Sequence, residues 1–226
     1  MLKLIVVALA PAIIIMMFFY IKDEYDKEPL KLLLKAVMYG FIATGIACVL
    51  ECAINSFIKT EEDVRGFMPI LLYYLFAVGL VEEGAKFWFL VRKFYPHREF
   101  NEVYDGIIYG AFISLGFAAL ENVIYVLSYG MKTGILRAFT AVPGHAIDGS
   151  IAGYYVGLAK FTSSGLRRKT LLLTGFSYSV LLHGFYDASI AWNYGFLTAM
   201  LMYGILIFGG KTVLNQMKKS KRQIQG

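Results

Sequence analysis

Cysteine is almost missing from this chain: Cys48 and Cys52 are the only two in 226 residues, and they lie four apart in one apolar stretch. Neither a disulfide framework nor a thiolate zinc knuckle can be built from a single such pair. Charge is scarce too, at 17% of residues against roughly a quarter in soluble domains. No HExxH helix occurs, which removes the helical zinc-protease signature. No low-complexity linker or internal repeat divides the sequence, so residues 1–226 read as one integral membrane domain. What the chain has instead is apolar mass. Apolar residues make up 58% and aromatics 16%, and the mean hydropathy is +0.60. These values exclude an ordinary soluble protein and point to a polytopic membrane protein, all-α because an open sheet in lipid would leave backbone polar groups unpaired.

Seven apolar runs are long enough to cross a bilayer as helices: about 4 to 20, 32 to 57, 67 to 91, 106 to 128, 138 to 159, 171 to 192 and 195 to 214. An eighth span fits only if one long run doubles back. The first run continues well past the cleavage-like Ala8-Leu9-Ala10, so it reads as an uncleaved span. The net charge of +6 sits in short clusters between these runs, which argues against nucleic acid and for topology. The segments Lys22 to Lys35, Arg92 to Arg98, Lys160 to Lys169 and Lys211 to Arg222 carry sixteen lysines and arginines; the alternate segments carry five. The positive-inside rule then predicts an outside amino terminus and a cytoplasmic basic tail over 215–226 facing anionic membrane lipid. The acidic stretch Lys59 to Arg65 falls outside and reads as a solvated connector.

Against this background, ionisable residues inside the runs stand out. The third run holds Glu82, Glu83 and Lys86, with both acids on the lysine's helix face at i, i+4 and i, i+3 spacing. One amine can neutralise one glutamate and leave the other for a proton, a water or a metal. The fourth run supplies Phe117 and Glu121. The fifth contains Pro143-Gly144-His145, where a kink beside the histidine is expected, and Asp148, which either bonds His145 or sits on an adjoining wet surface. In the sixth, His183 and Asp187 share a face at i, i+4, a spacing that lets a carboxylate fix the imidazole tautomer. Gly106 with Gly110, and Gly149 with Gly153 and Gly157, mark close helix contacts that turn the fifth span inward.

Each intramembrane charge costs about 2.5 to 3.5 kcal/mol on insertion scales, so convergence of these groups on one hydrated site is the cheaper arrangement. The helical rise lets them meet between mid-bilayer and the outer leaflet. Three function classes use such a cluster: a hydrolase, a proton-coupled transporter or channel that relays protons, and a noncatalytic scaffold assembled by ion pairs.

Taken together, EExxK at Glu82, Glu83 and Lys86, FxxxE at Phe117 and Glu121, and the later histidine motifs at His145 and His183-Asp187 resemble the PrsW family of intramembrane proteases. Tyr25-Asp26-Lys27-Glu28-Pro29 and Asp105-Gly106 add to the likeness, which spans the first through sixth runs. The family is distantly similar to CAAX prenyl endopeptidases and bacteriocin-processing proteases, in which a histidine stands where this chain has Glu121. The resemblance implies peptide-bond hydrolysis in a bacterial cell membrane. The expected substrate is a single-span membrane protein such as an anti-sigma factor, cut on its extracytoplasmic side as the first step in releasing a sigma factor. On that basis Glu82 or Glu83 is expected to be the base and Glu121 to share its water or proton. His145 and His183 would stabilise the oxyanion or donate a proton, Asp187 would orient His183, and Lys86 would hold the other glutamate. No cofactor is required by this scheme. In the alternative scheme Glu121, His145 and His183 would bind Zn²⁺.

Overall fold

A helix is the one element that satisfies its own backbone in lipid, and the computed structural model holds helices joined by short connections and no strand among its described residues, which are 1–23, 26–57 and 66–224. The helices are α1 (Leu2–Lys22), α2 (Leu30–Phe57), α3 (Phe67–Phe94), α4 (Val103–Tyr129), α5 (Met131–Phe139), α6 (Ala141–Lys160), α7 (Gly165–Trp192) and α8 (Phe196–Ile224). Five of them, α1 to α4 and α8, are long and apolar enough to cross a membrane. α6 and α7 are long but carry the polar residues of the bundle interior. The acidic stretch Lys59 to Arg65 and the motif residue Tyr25 lie outside the described residues.

All seven apolar runs therefore appear as long helices, with differences in their limits, the sixth beginning as early as Gly165. The third continues to Phe94. The fifth is interrupted at Thr140, whose backbone is non-helical (φ −128°, ψ −77°), so that Met131–Phe139 forms a separate short helix. The seventh runs on to Ile224, so the basic residues from 215 onward extend a helix rather than hang from it. At nine residues α5 reaches only about 13 Å and is no eighth span. Pro143 does not kink α6. It falls in the first turn, where a missing N–H costs no intrahelical bond.

α4 is the hub. In its apolar window 78% of residues are buried, against 17% for α1 and for α8. Glycines allow its neighbours to close on it: a Cβ on Gly110 would overlap the Gly149 carbonyl, and one on Gly153 would overlap the Gly106 carbonyl, so α4 and α6 meet backbone to backbone. On the other side, Thr44 of α2 donates to the carbonyls of Gly40 at 3.1 Å and Phe117 at 3.3 Å. Asn122 Nδ2 donates to the Ala8 carbonyl of α1 at 2.9 Å. Large apolar side chains on the outer faces, among them Ile14, Leu34, Phe76, Trp88, Leu127 and Phe208, are exposed. On a water-soluble protein that surface would be a liability; against acyl chains it is the expected exterior.

Candidate active site

Glu82 and Glu83 sit in the first turn of the α-helical part of α3, which is bracketed by two π-helical segments, Tyr74–Gly79 and Leu90–Phe94. A π turn accommodates an extra residue and resets the helix face, and such turns recur at functional positions. Here the first one ends at Gly79, where α3 packs closely on α7. A Cβ there would stand 3.2 Å from the Val180 carbonyl and 3.4 Å from the Gly184 amide, and a Cβ on Gly184 would press on Leu75. Gly79 and Gly184 thus let the EExxK turn settle beside His183.

Lys86 is the centre of the cluster. Its ammonium donates to Glu83 Oε1 at 2.7 Å and Glu82 Oε2 at 3.2 Å, lies 3.0 Å from His145 Nδ1, and stands 3.9 Å over the Phe117 ring. An ammonium has no acceptor, so His145 Nδ1 accepts and its Nε2–H faces Glu121 Oε2 at 2.9 Å. His183 is enclosed by acids: Nδ1 is 3.0 Å from Glu83 and 3.6 Å from Asp148, while Nε2 is 3.1 Å from Asp187 and 3.6 Å from Glu82. The two imidazole rings are 5.2 Å apart. Glu82, Glu83, Lys86, His145, Asp148 and His183 are each no more than 6% exposed.

The predicted site residues therefore come together: Glu82, Glu83, Lys86, Phe117, Glu121, His145, His183 and Asp187 form one connected network. Asp148, which the sequence left open, faces His183 instead of His145. Glu82 and Glu83 are not equivalent. Glu83 is held closely by both Lys86 and His183, whereas Glu82 makes the longer contact to each and lines a cavity of about 360 Å³. Glu121, Asp148, Asp187, His145 and His183 line the same cavity, and Glu83 borders a much smaller void instead.

Two residues of this cavity were missed by sequence reasoning. Arg137, counted as a connecting-segment charge, lies on α5, which folds against α1 and α4 and turns the guanidinium inward. Its Nη2 is 2.6 Å from Glu121 Oε2, its Nε donates to Asn122 Oδ1 at 3.1 Å, and its head group stacks 3.9 Å from the Tyr125 ring. Spacing could have flagged it only had the break at Thr140 been foreseen. The second, Glu51 of α2, was hidden at the end of the longest apolar run.

Glu82, Glu83, His145 and His183 also present ligand atoms within 4.8 Å of one another, a donor group that could hold a metal ion. Two imidazoles with carboxylates suit Zn²⁺. The charge count agrees: Glu82, Glu83, Glu121, Asp148 and Asp187 converge on two fixed cations, Lys86 and Arg137. This group contains Glu82 and Glu83, whereas the ligands expected from sequence included Glu121, which is engaged by Arg137 and His145.

The chain is similar to known proteins over most of its length. Protease PrsW of Bacillus subtilis strain 168 is 37% identical over 187 residues, covering 83% of this chain and 82% of that protein. Protease PrsW of Geobacillus kaustophilus is 38% identical over 199 residues, covering 86% and 84%, and that of Halalkalibacterium halodurans is 37% identical over 210 residues, covering 92% and 93%. No solved structure matches. The family model described as PrsW family intramembrane metalloprotease matches residues 28–210, which enclose every residue of the cluster. With its spanning helices and that match across most of its length, the chain is a membrane-embedded peptidase and belongs to the PrsW family of intramembrane metalloproteases.

Proposed function

We propose that this peptidase makes the first, site-1 cut in a single-span anti-sigma factor, on the extracytoplasmic side of a bacterial membrane, and so begins release of a sigma factor. The observation that carries the catalytic part of this reading is the asymmetry of the glutamate pair: Glu82 faces the cavity while Glu83 is tied into Lys86 and His183. The cavity opens at the end of the bundle where α2 finishes and α3 begins, since its lining includes Glu51, Tyr73, Arg137 and Ile190. The basic segments lie at the other end of the same helices, which supports a cytoplasmic carboxyl terminus and an extracytoplasmic cleft.

Amide hydrolysis needs a base for water, a charge at the developing oxyanion and a proton for the leaving amine. Glu82 takes the proton from the attacking water. Glu83 holds Lys86 and His183 in place. His145, with Nε2–H fixed on Glu121, and the Lys86 ammonium beside it supply positive potential where the carbonyl oxygen gains charge. His183, flanked at both nitrogens by carboxylates, hands a proton to the leaving nitrogen, and Asp187 orients its Nε2. In a zinc-loaded site Glu82, Glu83, His145 and His183 would give up these proton roles and hold the ion instead, each histidine through an unprotonated nitrogen. When bound, that ion adds Lewis-acid activation of water and of the scissile carbonyl.

The test is reconstitution. Purified protein in detergent or vesicles, given a single-span anti-sigma factor, is expected to yield one extracytoplasmic cut, with stoichiometric metal in the active preparation and loss of cleavage on chelation. Ion flux without cleavage of any such substrate would overturn the reading in favour of a proton relay. Full activity in metal-free protein would remove the zinc.

A further inference from the structure

Glu51 is a carboxylate without a role in the chemistry above. It lies on α2 in the wall of the active-site cavity, its Oε1 is buried, and among the described residues no donor reaches that oxygen. A buried acceptor with no partner is costly, and a charge more so, unless something else completes it. The cationic groups of the neighbouring wall are engaged elsewhere: Arg137 is committed to Glu121, Asn122 and Tyr125, and His183 to Glu82, Glu83, Asp148 and Asp187, while Glu82, Glu121, Asp148 and Asp187 share the lining. Aromatic rings complete the surroundings, with Tyr73, Tyr74 and Tyr125 all in the lining. An acid lacking a partner, an excess of negative charge and flanking rings are together the features that receive a cationic side chain.

We infer that Glu51 is a specificity-determining residue: it binds a lysine or arginine side chain of the substrate close to the scissile bond. Its position suits this. Thr44, Cys48 and Glu51 recur at helical spacing along the cavity face of α2, and Phe117 and Glu82 lie in the same lining. A polypeptide unwound at the catalytic residues would thus pass this wall, and a long basic side chain can lay its methylenes along the apolar part while its charge reaches the acid. The binding is a property of the cleft and rests on the protease reading only for the identity of the chain that supplies the cation.

Cys48 makes the cleft measurable without catalysis, because it is exposed and lines the cavity one turn before Glu51. In a Cys52→Ser background, a trimethylammonium methanethiosulfonate reagent is expected to modify Cys48 at least ~10-fold faster than a sulfonate analogue, relative to their rates with free thiol. That ratio should fall toward unity in Glu51→Gln. The second measurement uses an anti-sigma factor that the wild-type protein cuts, with lysine, methionine or glutamate placed at each position flanking the bond. At one position the lysine-to-methionine ratio of kcat/KM is expected to be about 10 or more, to collapse in Glu51→Gln, and to invert in favour of glutamate in Glu51→Lys. A reagent ratio unchanged by Glu51→Gln, or a lysine preference that survives it, overturns the inference. So does an equal loss on every substrate. If the wild type cuts no substrate at all, the protease reading fails, and the thiol ratio alone still decides whether the cleft selects cations.

Discussion

Two clusters of buried acids lie at opposite ends of α4, and only one has the makings of chemistry. At the carboxyl-terminal end Glu82, Glu83, Glu121, Asp148 and Asp187 gather with two cations, two histidines and a cavity. At the amino-terminal end Asp23, Glu28 and Asp105 are as thoroughly buried, at 2%, 4% and 0% exposure. There the partners are of another kind. The Glu28 amide donates to Asp23 Oδ2 at 3.0 Å, the amides of Asn101 and Glu102 donate to Asp105 Oδ2 at 2.7 Å, and the Tyr109 hydroxyl donates to Glu28. Asp105 with Glu102 forms a capping box that starts α4. This second cluster is a lock that ties the segment after α1 to the hub helix. Burial of carboxylates alone therefore does not mark the site; what marks it is burial together with opposed charge, a titratable ring and room for a reactant.

The largest effect should separate the two clusters outright. Glu82→Gln keeps the side chain's shape but removes the proposed base, and cleavage is expected to fall by about 10³-fold or more. Glu28→Gln should leave the rate of cleavage by folded protein unchanged. Comparable losses in both, measured on protein verified as folded, would erase the distinction. Metal content gives the next contrast. His145→Ala and His183→Ala should each lose the metal measured in purified protein and with it the activity, while Tyr109→Phe should retain both.

Arg137 tests how far the active cluster extends. Removing it leaves Glu121 with His145 as its one close partner among the described residues and frees the imidazole to reorient. Arg137→Ala is expected to lower kcat by about 10- to 100-fold, the scale of a lost supporting partner, with a smaller loss for Arg137→Lys. A change in KM alone would make Arg137 a substrate contact instead of a positioning residue.

How much of this could be read from the sequence depends on which physical signal each feature leaves. The seven long helices were legible because lipid demands about twenty apolar residues per crossing. The residues of the candidate site other than Phe117 were legible because each is an ionisable group that breaks such a run. α5 was not: nine residues cannot cross, so Arg137 was counted with the segment between two crossings. The π turns left no trace, since Tyr74 to Gly79 is apolar and fits a regular helix equally well. Pro143 was misjudged because its effect depends on its place in the helix, and the break at Thr140 that sets that place has no marker of its own. The division between Glu82 and Glu83 was out of reach, as both stand within a turn of Lys86. It took His183, a hundred residues further on and nearer to Glu83, to separate them.

The smallest effect concerns stability and belongs to the lock. Burial, reinforced by the neighbouring Asp105 and Asp23 carboxylates, pushes the Glu28 carboxyl up to about 9 from an ordinary 4.5, even with Tyr109 donating to it. The folded protein thus holds a proton on Glu28 over a range in which the unfolded chain has released it. The folded state binds more protons there, so stability from this group is full below about 4.5 and is lost as pH rises toward 9. Glu28→Gln stays neutral at every pH and keeps an oxygen for Tyr109. Its thermal midpoint, measured in detergent from pH 5 to pH 9, should decline less than that of the wild type, and the two curves should diverge most at the alkaline end. Tyr109→Phe should cost about 1 kcal/mol, the worth of one neutral hydrogen bond. Parallel curves would mean that Glu28 is charged in the folded protein. The lock would then need a cation, and the clearest difference between the two ends of α4 would disappear.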